Sequence, residues 1–129
     1  MLLILFALTF CLATTAMAAE NSVASPKKGR LRHVVAFKFK DTASKEDIEK
    51  IVEAFGALKK KIPTILSYEW GANNSPENHN KGFTHAFTLT FNSEKDRNDY
   101  LVHPAHKDFG KLLGPFLADV FVIDYWIQD

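Results

Sequence analysis

Four stretches of this 129-residue chain read as strands with a side-chain period of two, and helix-spaced apolar residues lie between them. That interleaving restricts the fold more than any other feature. Leu31, His33, Val35, Phe37 and Phe39 alternate with Arg32, Val34, Ala36, Lys38 and Lys40, which predicts a strand. A second strand is expected over Ile65–Trp70, with Leu66, Tyr68 and Trp70 on one face. The third, Phe83–Phe91, sets Phe83, His85, Phe87, Leu89 and Phe91 against Thr84, Ala86, Thr88 and Thr90. The fourth, Val120–Ile127, sets Val120, Val122, Asp124 and Trp126 against Phe121, Ile123, Tyr125 and Ile127.

Between strands one and two, Ile48, Ile51, Val52, Phe55 and Leu58 recur at helical spacing. Ser44 with Asp47 reads as a capping box at the start of this helix. Lys59, Lys60 and Lys61 complement its C-terminus, and Pro63 stops it. Gly71–Gly82 is a polar loop. Ser93 with Asp96 opens a short charged helix that runs to about Val102, where His103-Pro104 interrupts it. A further helical stretch follows from Ala105 to about Leu113 and weakens at Gly114-Pro115.

The order is therefore βαββαβ, which predicts an α+β, ferredoxin-like domain: a four-stranded antiparallel sheet with helices on one face. The other face carries Val34, Ala36, Thr88, Phe121, Ile123 and Tyr125, too apolar to leave wet. A second copy of the chain is its expected cover, making a homodimer.

A net charge of +1 argues against nucleic acid as a partner. The single cysteine excludes an internal disulfide framework and a cysteine-rich zinc site. No phosphate loop, G-x-G-x-x-G or G-x-S-x-G is present, so no cofactor is expected. Met1–Cys11 is apolar except for Thr9, and Ala16-Met17-Ala18 resembles a signal cleavage site before the chain turns polar at Glu20. The expected organisation is a signal peptide over 1–19, a flexible linker over 20–29 and one domain over 30–129. Cleavage would remove Cys11, leave no membrane segment in the mature form, and send the protein to a secreted or periplasmic location; retention of the segment as an N-terminal hydrophobic helix is the alternative.

The residues that suggest chemistry are histidines in apolar company. His33 and His85 share strand faces with bulky apolar side chains, where an imidazole must find a partner. Each, taken alone, reads as a satisfied core histidine. Together with Asp124 on the fourth strand they suggest a polar-lined cavity between sheet and helices. Tyr100, His103 and His106 come from the second helix and the break after it. The His-x-x-His spacing of His103 and His106 is too little for a metal site, and none is expected.

Arg32–Lys40, Tyr68-Glu69-Trp70-Gly71, Gly82-Phe83-Thr84-His85, Asp99–His106 and Ile123-Asp124-Tyr125 resemble the stress-responsive dimeric α/β-barrel (Dabb) family. The resemblance spans about Arg30 to Asp129, and the H-P-A-H segment with its preceding tyrosine is its most specific part. It implies a ferredoxin-like protomer that pairs sheet-to-sheet into a dimeric α/β barrel. In the branch of olivetolic acid cyclase type, which closes a linear polyketide thioester by aldol condensation, it implies a catalytic pair at Tyr100 and His106. The same branch implies pocket residues at His33, His85, His103 and Asp124, with Phe55 facing the pocket from the first helix. A neutral histidine can take a proton beside a carbonyl, and a tyrosine hydroxyl can support the enolate. The first functional expectation is a protein that binds a small, largely apolar ligand between sheet and helices. The alternatives are a cyclase-like lyase using His106 and Tyr100, and a non-catalytic structural stress protein.

Overall fold

The computed structural model describes residues 29–128. The expected signal peptide over 1–19 and all of the expected linker except Gly29 lie outside them. Among the described residues, no helix is long and apolar enough to cross a membrane. Strand β1 (Leu31–Phe39) leads to α1 (Lys45–Lys61), then β2 (Ser67–Ala72) and β3 (His85–Phe91). Helices α2 (Glu94–Val102) and α3 (Pro104–Leu113) follow, and a 3-10 turn leads into β4 (Leu117–Trp126). The order in the sheet is β2-β3-β1-β4, and every pairing is antiparallel. This is the ferredoxin-like arrangement.

Three strand starts differ from expectation. β2 and β3 both start two residues late, because Leu66 and Thr84 are bound by single backbone bonds to Thr90 and Phe37 outside the regular ladder. β4 starts three residues early, and its register shifts between Lys38 and Phe39 of β1. The shift places Leu117 opposite Phe39.

Local chemistry sets the helix ends. Ser44 Oγ accepts from the Asp47 amide at 3.1 Å, and the Asp47 carboxylate accepts from the Ser44 amide at 3.0 Å. This reciprocal box is worth about 1 kcal/mol. At α2, where Ser93 and Asp96 repeat the capping-box pattern, only half of the box forms, with Ser93 Oγ accepting from the Asp96 amide at 3.0 Å.

The core lies between the helices and one face of the sheet. Phe55 of α1 stacks on Phe109 of α3 at 4.7 Å between ring centroids and lies 4.7 Å from Phe87 of β3. Phe37 of β1 completes the layer, 4.9 Å from Phe87 and 5.7 Å from Phe55. The opposite sheet face is bare, with Phe121, Ile123 and Tyr125 each about half exposed. On the helix side, Val120 and Val122 are also half exposed, at 44% and 50%. β4 is an edge strand, and the helices leave part of its inner face as an open wall.

Candidate functional site

That open wall is one side of a cavity. His33 and Asp124 are direct cross-strand partners in the β1–β4 register, so both side chains leave the sheet on its helix side. His33 Nδ1 and Asp124 Oδ1 lie 2.6 Å apart, and His33 is 5% exposed. The other oxygen, Oδ2, accepts from Arg97 of α2. A carboxylate paired with a guanidinium is ionised and only accepts, so the proton on this face of His33 resides on Nδ1.

α2 sets Tyr100 across from His33, with their rings edge-on at 5.6 Å. Tyr100 is almost wholly buried, and burial pushes its phenol far above the usual value, with Tyr68 and Asp124 adding to the effect. At neutral pH it is a hydrogen-bond donor.

The break after α2 positions the last member. Pro104 opens α3, where its missing amide costs nothing. One turn later His106 folds back over the end of α2, and its Nδ1 donates to the Leu101 carbonyl at 3.1 Å. Leu101 is in the last turn of α2, whose carbonyls have no partner within the helix. Since a carbonyl only accepts, the His106 proton sits on Nδ1 and the lone pair on Nε2. Burial lowers its pKa, the Leu101 bond partly offsets this, and His33 lowers it further. The imidazole is therefore neutral at pH 7, its ring 4.3 Å from that of Tyr100.

His33, Tyr100, His106 and Asp124 line one cavity of about 310 Å³. Val35, Phe37, Phe55, Phe109, Leu113, Leu117, Val120 and Val122 supply its apolar walls. The volume suits a small ligand, and the design is that of an apolar pocket with a few convergent polar groups.

Two residues expected in this pocket are elsewhere. His85 lines a separate, larger cleft of about 570 Å³ with Ile48, Val52, Trp70 and Ala72. Its strand face is the expected one, but the layer of Phe37, Phe55 and Phe87 stands between it and His106. Its ring lies parallel to Trp70 at 6.0 Å and edge-on to Phe39 at 5.3 Å, Nδ1 bonds the Thr84 hydroxyl at 2.9 Å, and burial lowers its pKa. The cleft is also lined by Lys45, Glu49 and Glu53, but it has no tyrosine and no aspartate–histidine pair as the smaller cavity does. His103 is the N-cap of α3: its Nδ1 accepts from the Ala105 amide at 3.1 Å. That bond turns it toward an outer groove between α1 and α3, away from Asp124. The structure thus brings together His33, Phe55, Tyr100, His106 and Asp124.

Sequence reasoning missed Arg97 and the Leu101 carbonyl. Arg97 sits among exposed charges and reads as part of a solvated face, yet it is three residues before Tyr100 and so shares its side of α2.

Residues 31–127 match the model of the stress responsive A/B barrel domain family. The chain belongs to that family. Its resemblance to stress-response A/B barrel domain-containing protein HS1 of Arabidopsis thaliana is 38% identity over 98 residues, covering 76% of this chain and 90% of that protein. Olivetolic acid cyclase of Cannabis sativa is 30% identical over 95 residues, covering 74% and 94%. Among solved structures, hydroxynitrile lyase from Passiflora edulis superposes with a TM-score of 0.75 at 29% identity, over 79% of this chain and 96% of that one. A dimeric ferredoxin-like protein of unknown function from Bacteroides fragilis gives a TM-score of 0.64 at 28% identity, over 78% and 98%. This Dabb domain is therefore similar to a protein named for stress response, to a named cyclase and to a named lyase.

Proposed function

We propose that this Dabb protein binds a small, largely apolar molecule carrying a carbonyl or hydroxyl group in the cavity beneath His106. One observation carries the reading: a neutral imidazole with its lone pair on Nε2 stands beside a buried, protonated tyrosine at the polar end of an apolar cavity. Apolar walls hold the ligand's body, and the hydroxyl and imidazole orient its oxygen.

The same pair favours a second reading, an acid–base enzyme of the lyase or cyclase type. His106 Nε2 would take a proton, and the Tyr100 hydroxyl would meet negative charge on a carbonyl oxygen. With a hydroxynitrile, His106 takes the hydroxyl proton, the bond to the nitrile carbon breaks, and a carbonyl compound and cyanide form; the proton leaves with cyanide. With a linear polyketide, His106 takes a proton beside a carbonyl, the enolate held by Tyr100 attacks a second carbonyl of the same chain, and the oxygen of that carbonyl takes the proton back from His106 as its double bond opens.

Two further parts of the reading concern context. The bare face of Phe121, Ile123 and Tyr125 supports an isologous homodimer through the sheet, as does the dimeric Bacteroides fragilis relative. The apolar N-terminus with its small-residue site supports export to a secreted or periplasmic location, tested by mass spectrometry of the native protein. A mature chain starting near Ala19 or Glu20 is expected, and an intact Met1 would refute export.

Binding is tested by titrating isotope-labelled protein with benzaldehyde and following backbone amides. Saturable shifts at His33, Leu101, Tyr100 and His106 are expected, and Val122→Trp, which narrows the open wall, should abolish them. Shifts confined to Trp70 and His85, or no shifts, would overturn the assignment. Release of benzaldehyde from its cyanohydrin, lost in His106→Gln, would establish the enzymatic reading for that class.

A further inference from the structure

Asp124 has no oxygen left over. Oδ1 faces His33 Nδ1 at 2.6 Å, and Oδ2 accepts from Arg97 Nη1. The guanidinium is held at a second point, because Arg97 Nε donates to Asn98 Oδ1 at 2.9 Å. Arg97 and Asp124 are both about one-fifth exposed, so water screens their contact only partly. The chain of contacts runs from α2 through the edge strand β4 to the central strand β1 and ends at the cavity wall. It is built on three elements and anchored at both ends.

We propose that Arg97 is a positioning residue for the cavity: by holding Asp124 it fixes the His33 ring and its tautomer, with the proton on Nδ1 and Nε2 left as an acceptor. This deepens the reading of the cavity as a ligand site and rests on it. A carboxylate free to rotate has no fixed orientation toward an imidazole. With Oδ2 held by Arg97, Asp124 is left with Oδ1 for His33, and that oxygen faces Nδ1. The remaining neighbours of His33 add no anion: Phe91 of β3 lies 6.4 Å away, Tyr100 of α2 stays protonated, and His106 of α3 is neutral.

The consequence is specific to ligand chemistry. The cavity presents two imidazoles, His33 and His106, and one hydroxyl donor, Tyr100. A group with two acceptable protons, such as an enolisable carbonyl or a hydroxyl beside one, is matched by that set. An anionic ligand finds no cation in it, since the Arg97 guanidinium is engaged by Asp124 and Asn98. Without Arg97, Asp124 would be free to turn away, and His33 would lose the contact that keeps Nε2 an acceptor.

The test is long-range proton–nitrogen correlation NMR on ligand-free protein labelled at histidine, with Arg97→Gln, Arg97→Lys and Asp124→Asn for comparison. In the unsubstituted protein at pH 7.5, His33 should show a protonated Nδ1 and an unprotonated Nε2. In Arg97→Gln the ring should populate both tautomers, the proton shared between Nδ1 and Nε2, with Arg97→Lys in between. Asp124→Asn should remove the difference between Arg97 and its glutamine variant in the double substitution. An unprotonated Nδ1 in the unsubstituted protein overturns the proposal without any variant, even if Arg97→Gln fails to fold. An Arg97→Gln protein whose His33 keeps its proton wholly on Nδ1 overturns it as well. Benzaldehyde binding is scored separately, so an intact His33–Asp124–Arg97 chain in a protein that binds nothing would refute the function and leave Arg97's role standing.

Discussion

His33 and Asp124 stand directly opposite each other on β1 and β4 and meet at 2.6 Å, joining the middle of the sheet to its open edge. The pair is the inner wall of the cavity, and its disruption should be costly. Asp124→Ala leaves a buried imidazole and the Arg97 guanidinium without their acceptor, which is expected to cost about 2–4 kcal/mol. The double variant His33→Phe, Asp124→Leu should recover at least half of that loss, because no unpaired polar group remains. Urea denaturation of the two proteins measures both. A double variant no more stable than Asp124→Ala would mean that packing, and not pairing, holds this wall.

Tyr100→Phe separates structure from chemistry. The ring packs against His33, Phe91 and His106, and the phenylalanine keeps all of those contacts. Stability should change by less than about 1 kcal/mol. Any carbonyl chemistry catalysed by the cavity should fall by about 100-fold or more, the usual loss for a donor aimed at developing charge. Equal activity in the two proteins would remove Tyr100 from the mechanism.

His85 and His106 both have pKa values lowered by burial. As pH falls below their ordinary value of about 6.5, the unfolded chain binds protons before the folded one does. Stability from these two sites is therefore fully present above pH 6.5 and lost as pH falls through their lowered values. Thermal melts across pH 7.5 to 5 should show this decline, shallower in His106→Phe. If His106 is the base, activity should hold to a lower pH than a free imidazole would allow. An activity midpoint at or above 6.5 would contradict that role.

Ile123→Asp tests the bare sheet face. Ile123 pairs with Val34 in the register and is flanked by the half-exposed Phe121 and Tyr125. In a sheet-to-sheet dimer the new carboxylate would be buried without a partner, a cost of about 3–5 kcal/mol that should yield monomers. In a monomer the position is half exposed and the substitution mild. Sedimentation velocity distinguishes the two, and a wild-type protein that is monomeric at micromolar concentration would dispose of the dimer.

Periodicity in the sequence determined the element order, the strand faces and the bare apolar side, because side-chain alternation is a local property of the backbone. It placed His33, Tyr100, His106 and Asp124 on elements that face the cavity, with family resemblance supplying the pairing of Tyr100 and His106. What periodicity cannot carry is lateral distance within a layer. His33 and His85 share a sheet face by parity, yet the aromatic layer of Phe37, Phe55 and Phe87 assigns them to different clefts. His103 and His106 are three residues apart, but a helix starts between them, so one caps α3 and the other bonds the carbonyl that ends α2. Arg97 gave no local signal at all, since its role depends on a carboxylate 27 residues away on the edge strand. Only the packed structure decides such contacts, because burial and partner identity are properties of the assembled layer and not of the segment that contributes the side chain.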